Sequence, residues 1–354
     1  MENGIVRLGI IGMGGIANGA HLRGLGNASN VKITAICDID ENKLKACGDK
    51  LGIDPDKRFA DYRDLIACEE VDAVEVCTPN NLHAEMAIAV LGAGKPLELE
   101  KPMGLCVDEA LAIKAAEEKS GTFGMMCFSY RFMSAVRYAK YLIDKGSIGR
   151  ILGINVEYLK SSALWEGRRL EWRFRKELAG TGVLGDLGVH LIDMARLLAG
   201  EFTSVSCDRK VIVKRRQMPD SDEWGDVTTD DICNFTAEIN GEIPVSFAIS
   251  RCCHGHSNTI KYDIFGDAGV ISFDLNNPDI LRICIGEADI NGDGLHTVKV
   301  PPKFRASQEQ TFIDACLGKR GEYFPTVDDG VVSQKILDAL CLSSDEGRRV
   351  YIEY

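Results

Sequence analysis

The sequence predicts a doubly wound α/β domain over residues 1–127, followed by an α+β domain over 128–354 with a large, open-faced, mostly antiparallel sheet. Up to residue 127, short apolar runs alternate with helical stretches, and strand–helix–strand in that rhythm is the signature of a parallel sheet. A glycine-rich turn follows the first run directly. Beyond residue 128 the runs lengthen, alternate apolar with polar residues, and are joined by Gly- and Asn-containing turns, which marks an antiparallel meander.

Element by element, VRLGIIG (6–12) and VKITAICD (31–38) are β-rich and flank a helix that begins near Gly15. DAVEVCTP (72–79), PLELEKP (96–102) and FGMMCF (123–128) read as further strands, with helices EMAIAVLGAG and DEALAIKAAEEKSG between them. A helix over 134–145 ends at Gly146; ILGINVEYLK, VSCDRKVIVKR, NFTAEIN, IPVSFAIS, TIKYDIFG, GVISFDL and LRICIGE then form the meander, and helices over 307–318 and 328–346 close the chain. RKVIVKRR (209–216) alternates and reads as one solvated strand face. RCCHGHS places two cysteines next to each other, where strand geometry points them to opposite faces, so a hairpin turn is expected there rather than a metal site. DINGDG (289–294) opens like a calcium loop, but Val300 stands where the twelfth-position carboxylate is needed, and a turn is expected instead. No metal is expected.

Composition narrows the class. With 354 residues, 45% hydrophobic and 27% charged, the chain is globular and long enough for two cores. A net charge of −12 argues against nucleic acid, which calls for a basic surface. No apolar run approaches the roughly 20 residues of a membrane span. Thirteen scattered cysteines, many inside apolar runs such as Cys37, Cys77 and Cys127, read as small buried hydrophobes in a reducing compartment. Met1 to Arg7 lacks a basic segment leading into an apolar signal core, so the cytoplasm is expected.

The chemistry begins at GIIGMGGIA (9–17). Gly12 permits a tight turn after the strand, Gly14 lets backbone approach a pyrophosphate, and Ala17 allows close helix–strand packing. The loop Gly12, Met13, Gly14, Gly15 and Ile16 is therefore the expected dinucleotide cradle. Asp38 ends the second strand, where a carboxylate accepts both ribose hydroxyls of NAD and meets the 2′-phosphate of NADP unfavourably. Thr78, Asn80 and His83 in TPNNLH, with Glu100 and Lys101 in EKP, fall at the carboxyl edge of the same sheet, where ligands bind.

A second polar group lies in GVLGDLGVHLIDMARLLAG. Leu184, Leu187, Leu191, Ala195 and Leu198 make an apolar stripe at helical spacing. Asp186, His190 and Asp193 recur at i, i+4 and i+7 on the other side, flanked by Val189, Ile192 and Leu197. Two carboxylates and an imidazole on a helix this apolar call for a reason.

The chain resembles the Gfo/Idh/MocA family of sugar and polyol oxidoreductases over nearly its whole length. The residues carrying the resemblance are GIIGMGGIA, CDID, CTPNNLHAE, GKPLELEKPM, SYRF, WRF, GVLGDLGVHLID and PTVDDGVVSQKILDAL. It implies a Rossmann domain, NAD as cofactor, and a second domain whose sheet packs subunits together as a homodimer or homotetramer. It also implies that Asp186 and His190 gather with Lys101 at the nicotinamide, and it places His83 near the cofactor; for His83 a helix-capping or surface role is the alternative. Oxidising a secondary alcohol sends a hydride to the nicotinamide and a proton to a base. An imidazole, with an ordinary pKa of about 6.5, suits the base, so His190 takes that role. Lys101 stabilises the developing alkoxide and can share the proton transfer. Asp186 accepts a neighbouring substrate hydroxyl. Asp193 either orients the imidazole or serves packing. Tyr130, Arg131, Trp172 and Arg173, with Trp165 and Glu166, are substrate-contact candidates set against ordinary packing. Ser129 departs from the asparagine common at that point of the family, which puts one cofactor contact in doubt.

The leading expectation is an NAD-dependent dehydrogenase acting on a sugar, cyclic polyol or glycoside. A redox-neutral NAD-dependent glycosidase working through a transient keto-sugar uses the same residues, so the motifs do not separate the two. A non-catalytic sugar or nucleotide sensor is the third class, and it has no use for the lysine, aspartate and histidine together.

Overall fold

The computed structural model describes residues 4–292 and 294–354, which divide into two compact units. The first comprises Met1–Phe128 and Ala306–Gln334, the second Ser129–Arg305 and Lys335–Tyr354. Among the described residues, no helix is long and apolar enough to cross a membrane.

The first unit is the expected doubly wound sheet. Strands β1 (Val6–Ile11), β2 (Val31–Cys37), β3 (Arg58–Phe59), β4 (Ala73–Val76), β5 (Leu97–Leu99) and β6 (Gly124–Met126) lie in the order β3-β2-β1-β4-β5-β6. All pairings are parallel. The order reverses between β1 and β2 on one side and β4 on the other, so the turn after β1 sits at the switch point where such sheets take ligands. Both faces are covered, which is why Leu8, Ile10, Val74 and Val76 are all buried. The two-residue β3 was not expected from sequence.

The chain returns to this unit near its end. Helix Gln308–Cys316 buries Phe312 and Ile313 in the same core as Val6, Leu8 and Ile36. Met126 N–H donates to Pro325 O at 3.0 Å, and Met125 bridges Thr326. The expectation that everything after residue 127 belongs to the second domain is corrected here: Ala306–Gln334 belongs with the first unit.

The second unit centres on nine strands in the order β16-β15-β14-β13-β7-β12-β11-β8-β17. These are β7 (Ile151–Leu159), β8 (Phe202–Lys210), β11 (Ile232–Ile239), β12 (Ile243–Ser250), β13 (Thr259–Gly266), β14 (Gly269–Asp274), β15 (Ile280–Ile285), β16 (His296–Lys299) and β17 (Val350–Tyr351). A separate hairpin pairs β9 (Arg215–Gln217) with β10 (Trp224–Asp226). Among the described residues of this sheet only β7 and β12 pair parallel; β7 lies between β12 and β13. RCCHGHS is therefore not a hairpin turn but a connection passing the end of β7, with Cys253 N–H donating to Lys160 O at 2.8 Å. RKVIVKRR is likewise not one strand. Asp231 Oδ2 accepts the backbone N–H groups of Ile212 and Val213 at 2.8 and 2.9 Å, which breaks the strand after Lys210. In DINGDG, Asp293 lies outside the described residues; the segment falls between antiparallel β15 and β16, and a helical turn, Glu287–Ile290, ends within it.

One face of the sheet is apolar: Ile154, Val156, Phe247, Ile249, Ile260, Tyr262 and Ile271 are buried. The other carries exposed Asn155, Glu157, Asn234, Thr236, Ser246 and Lys261. Helix Val189–Ala199 packs on the apolar side, pinned by Tyr262 Oη donating to Leu191 O at 2.7 Å.

Candidate active site

The site residues of the first unit lie at the carboxyl ends of β1, β2, β4 and β5. Gly12 has φ +94°, and a Cβ there would meet the Cys77 carbonyl at 2.9 Å, so only glycine makes this turn. A Cβ on Gly14 would meet nothing within 4 Å, which leaves the loop open on the side that a pyrophosphate would approach. Residues 15–25 are helical, with a π-turn over Ala17–His21. Asp38 Oδ2 accepts Met13 N–H at 2.8 Å and Oδ1 accepts Asp40 N–H at 2.9 Å, so its carboxylate is held beside the loop. Glycine cradle and strand-end carboxylate together fit NAD. Replacing Asp38 with Ala or Ser should cut the preference for NAD over NADP on the order of tenfold or more, because the like-charge penalty on the 2′-phosphate disappears. Equal efficiency of the unaltered protein with both cofactors would contradict the assignment.

At the next strand ends, His83 is fully buried, its Nδ1 2.7 Å from Pro102 O and its Nε2 3.0 Å from Thr78 O. Burial pushes its pKa down. Rather than presenting a nitrogen outward, His83 ties the Thr78 turn to the turn after Lys101, so any effect on the cofactor runs through that tie. Asn80 is buried at the start of the helical turn Asn80–Leu82. Glu100 is turned inward: Oε1 lies 2.9 Å from His21 Nε2, and Oε2 accepts Lys101 N–H at 3.1 Å. Lys101 is half-buried, and the bond to Pro102 is cis.

The second unit holds the remaining candidates. Val183 N–H donates to Asp230 O at 3.0 Å, and Asp230 Oδ1 and Oδ2 accept Gly182 N–H at 2.8 Å and Leu184 N–H at 3.0 Å. A Cβ on Gly182 would lie 1.9 Å from Asp230 O, so the approach depends on glycine. The segment is not one regular α-helix. Leu184–Gly188 forms a π-turn, a feature frequent at functional sites, before α-helix Val189–Ala199 begins. From 182 to 195 every residue is buried except Asp186, which is half-exposed. His190 follows one turn later at 7% exposure.

Around His190 the structure places the expected Tyr130 and adds two groups that sequence reasoning missed, Tyr158 and Asn258. The Tyr130 ring lies 4.5 Å from the imidazole, and its Oη is 2.9 Å from Tyr158 Oη, which donates to Asn258 Oδ1 at 2.9 Å. Burial, then Tyr130, then Asp186 push the Tyr158 phenol well up. The signal for Tyr158 was its place on the apolar face of ILGINVEYLK. Arg131 is placed differently from the expected substrate contact. It is 5% exposed and grips Asp193 in a two-pronged ion pair, with Nε donating to Oδ2 at 2.8 Å. Asp193 is thus held by a guanidinium and pins the helix. Arg173 stacks on Trp172 at 4.3 Å, both half-buried, while Trp165 is 59% exposed.

His21 with Glu75 and Cys77, or with Glu98 and Cys127, brings metal-capable atoms within 4.8 Å of one another. Both ring nitrogens already face carboxylates, however, so this is hydrogen-bonding rather than ligating geometry.

Two family models match the chain. Residues 6–128 match "Oxidoreductase family, NAD-binding Rossmann fold", and residues 136–272 match "GFO/IDH/MocA C-terminal domain". The chain belongs to the GFO/IDH/MocA oxidoreductase family. Within it, the chain is 34% identical over 256 residues to levoglucosan dehydrogenase of Pseudarthrobacter phenanthrenivorans, covering 69% of this chain and 65% of that protein. It is 30% identical over 296 residues to glucose-6-phosphate 3-dehydrogenase of Bacillus subtilis, covering 83% and 79% respectively. A solved levoglucosan dehydrogenase in complex with NADH and levoglucosan superposes with a TM-score of 0.90 at 27% identity, over 99% of this chain and 100% of that one. This GFO/IDH/MocA chain is thus an NAD-binding oxidoreductase.

Proposed function

We propose that this protein is an NAD-dependent dehydrogenase of a secondary hydroxyl on a sugar, cyclic polyol or glycoside, working as a homo-oligomer in the cytoplasm. The observation that carries the reading is the half-exposed Asp186 followed one turn later by His190, on a segment otherwise buried from 182 to 195. A helix that needed only to pack would be apolar at both positions. Bound NAD supplies the hydride acceptor. The chain's own residues do the rest: the Gly12–Ile16 loop and Asp38 hold the cofactor, and Lys101 Nζ stabilises the alkoxide. A ring nitrogen of His190 takes the hydroxyl proton, and Asp186 accepts from an adjacent hydroxyl. The Tyr130–Tyr158–Asn258 chain holds the aromatic wall beside the imidazole.

The test is a panel of levoglucosan, inositols, glucose 6-phosphate and glycosides with NAD, followed by nicotinamide absorbance and product analysis. Reduced nicotinamide with a keto-sugar product is expected. Aglycone release without net reduction would instead favour the redox-neutral glycosidase, and no turnover of any kind would favour a sensor. Oligomerisation should use the face carrying Asn155, Glu157, Thr236 and Lys261; because these groups are polar, association should weaken in high salt. Sedimentation showing a monomer at working concentration would sink that part.

A further inference from the structure

The first unit contains a charge cluster that its sheet does not require. Glu75 and Glu98 stand directly opposite one another on β4 and β5, both fully buried. The centre of a parallel sheet covered on both faces ordinarily takes Val and Ile, and two adjacent ionised carboxylates there are strongly unfavourable. Burial, then Glu75, push the Glu98 carboxyl well up. Gln308 Nε2 donates to its Oε1 at 3.0 Å. Glu75 is answered by His21, whose Nδ1 is in ion-pair contact with Glu75 Oε1. The other nitrogen, Nε2, meets Glu100 Oε1 at 2.9 Å. Burial opposes the imidazolium, but Cys77, Glu75 and Glu100 outweigh it and raise its pKa. The second oxygen of Glu100 accepts the Lys101 N–H at 3.1 Å. A continuous line of contacts therefore runs Glu75–His21–Glu100–Lys101. His21 itself sits on the π-turn that follows the glycine loop, so the line joins the cofactor helix to the strand end bearing the lysine.

We propose that His21 is a positioning residue for Lys101: held between Glu75 and Glu100, it locks the Glu100 carboxylate under the Lys101 amide and so sets where the ammonium projects. This rests on the reading of Lys101 as the alkoxide-stabilising group. Without His21, Glu100 loses the imidazole contact on its Oε1, and the strand end relaxes. A displacement of about 1 Å at a reacting group costs on the order of 10²-fold.

The experiment is a double-mutant cycle with NAD and the panel substrate that the unaltered protein oxidises: His21→Gln, His21→Leu, Lys101→Ala, and each His21 variant combined with Lys101→Ala. NAD binding and thermal melting are measured on every protein. As a readout independent of turnover, the acetylation rate of Lys101 by a small acylating reagent is followed by mass spectrometry. His21→Leu should lower kcat about 10- to 100-fold with little change in NAD affinity. His21→Gln, whose amide can still donate to one carboxylate, should recover part of the loss. In the Lys101→Ala background neither change should cost anything more, since the effect travels through Lys101. Acetylation of Lys101, relative to the other lysines, should change in the single His21 variants. Should His21→Leu fail to fold, Glu100→Asp, which withdraws the carboxylate from the Lys101 amide, should reproduce the loss in kcat and the altered acetylation. Normal kcat and unchanged Lys101 acetylation in folded His21→Gln overturn the proposal, as do fully multiplicative losses with Lys101→Ala. Normal turnover in Lys101→Ala overturns the reading of Lys101 itself, a result distinguishable from the first.

Discussion

His190→Ala and Lys101→Ala should each lower turnover on the order of 10²-fold or more, the usual consequence of removing a proton acceptor or an alkoxide-stabilising charge. The loss should fall on kcat. NAD affinity should change little, because the glycine loop and Asp38 are untouched by either change. Asp186→Asn should weaken substrate binding and slow turnover while leaving melting unaltered, since Asp186 is the half-exposed member of its segment. Truncation of buried structural polar groups predicts the reverse pattern: a large melting loss with activity in proportion to folded protein. Steady-state kinetics and thermal denaturation on the same three proteins separate the two. Near-normal turnover in His190→Ala with a marked stability loss would make the polar stripe architecture and remove the proposed site.

Arg131→Met should destabilise the protein by about 3–5 kcal/mol, the range for breaking one side of a buried ion pair. The side chains of Arg131 and Asp193 are 6% and 1% exposed, so removing the guanidinium takes a paired positive charge away from a buried carboxylate. Adding Asp193→Leu should restore much of the loss, because an apolar pair of similar volume tolerates burial that a lone charge does not. Chemical denaturation at constant pH measures both. If Arg131→Met keeps its stability within about 1 kcal/mol and instead loses substrate affinity, Arg131 is the substrate contact that its place in SYRF suggested, and the ion pair matters little.

Much of this architecture was readable because its signals are local. Gly12 and Gly14 follow a strand directly, Asp38 ends the next one, and the meander announces itself by alternation along β11 to β14. GDLGVHLID stood out because Asp186 and His190 interrupt an otherwise apolar helix. What was not readable depends on long-range pairing. The insertion of β7 between β12 and β13 changes what RCCHGHS must do, yet nothing in that segment records it. Arg131 in SYRF looks the same whether it points at a sugar or at Asp193, sixty-two positions later. The π-turn at Leu184–Gly188 leaves no mark on a pattern counted at 3.6 residues per turn. Glu75 and Glu98 were visible all along as single carboxylates inside VEV and LEL. Their meaning required the register that sets them side by side and the helix that brings His21 to them.

The return of Ala306–Gln334 to the first unit makes that unit depend on a segment translated long after its strands. The six strands have all emerged by residue 126, but Phe312, which fills their core, and Gln308, the partner of Glu98, are made roughly 180 residues later. At about 5–20 residues per second, the growing chain spends about 10–40 s with that core uncovered and a buried carboxyl lacking its amide. During that interval the nascent sheet is a natural client for a chaperone. A fragment ending at residue 128 should behave the same way permanently, expressing as a sticky, protease-sensitive intermediate rather than as a free-standing nucleotide-binding module.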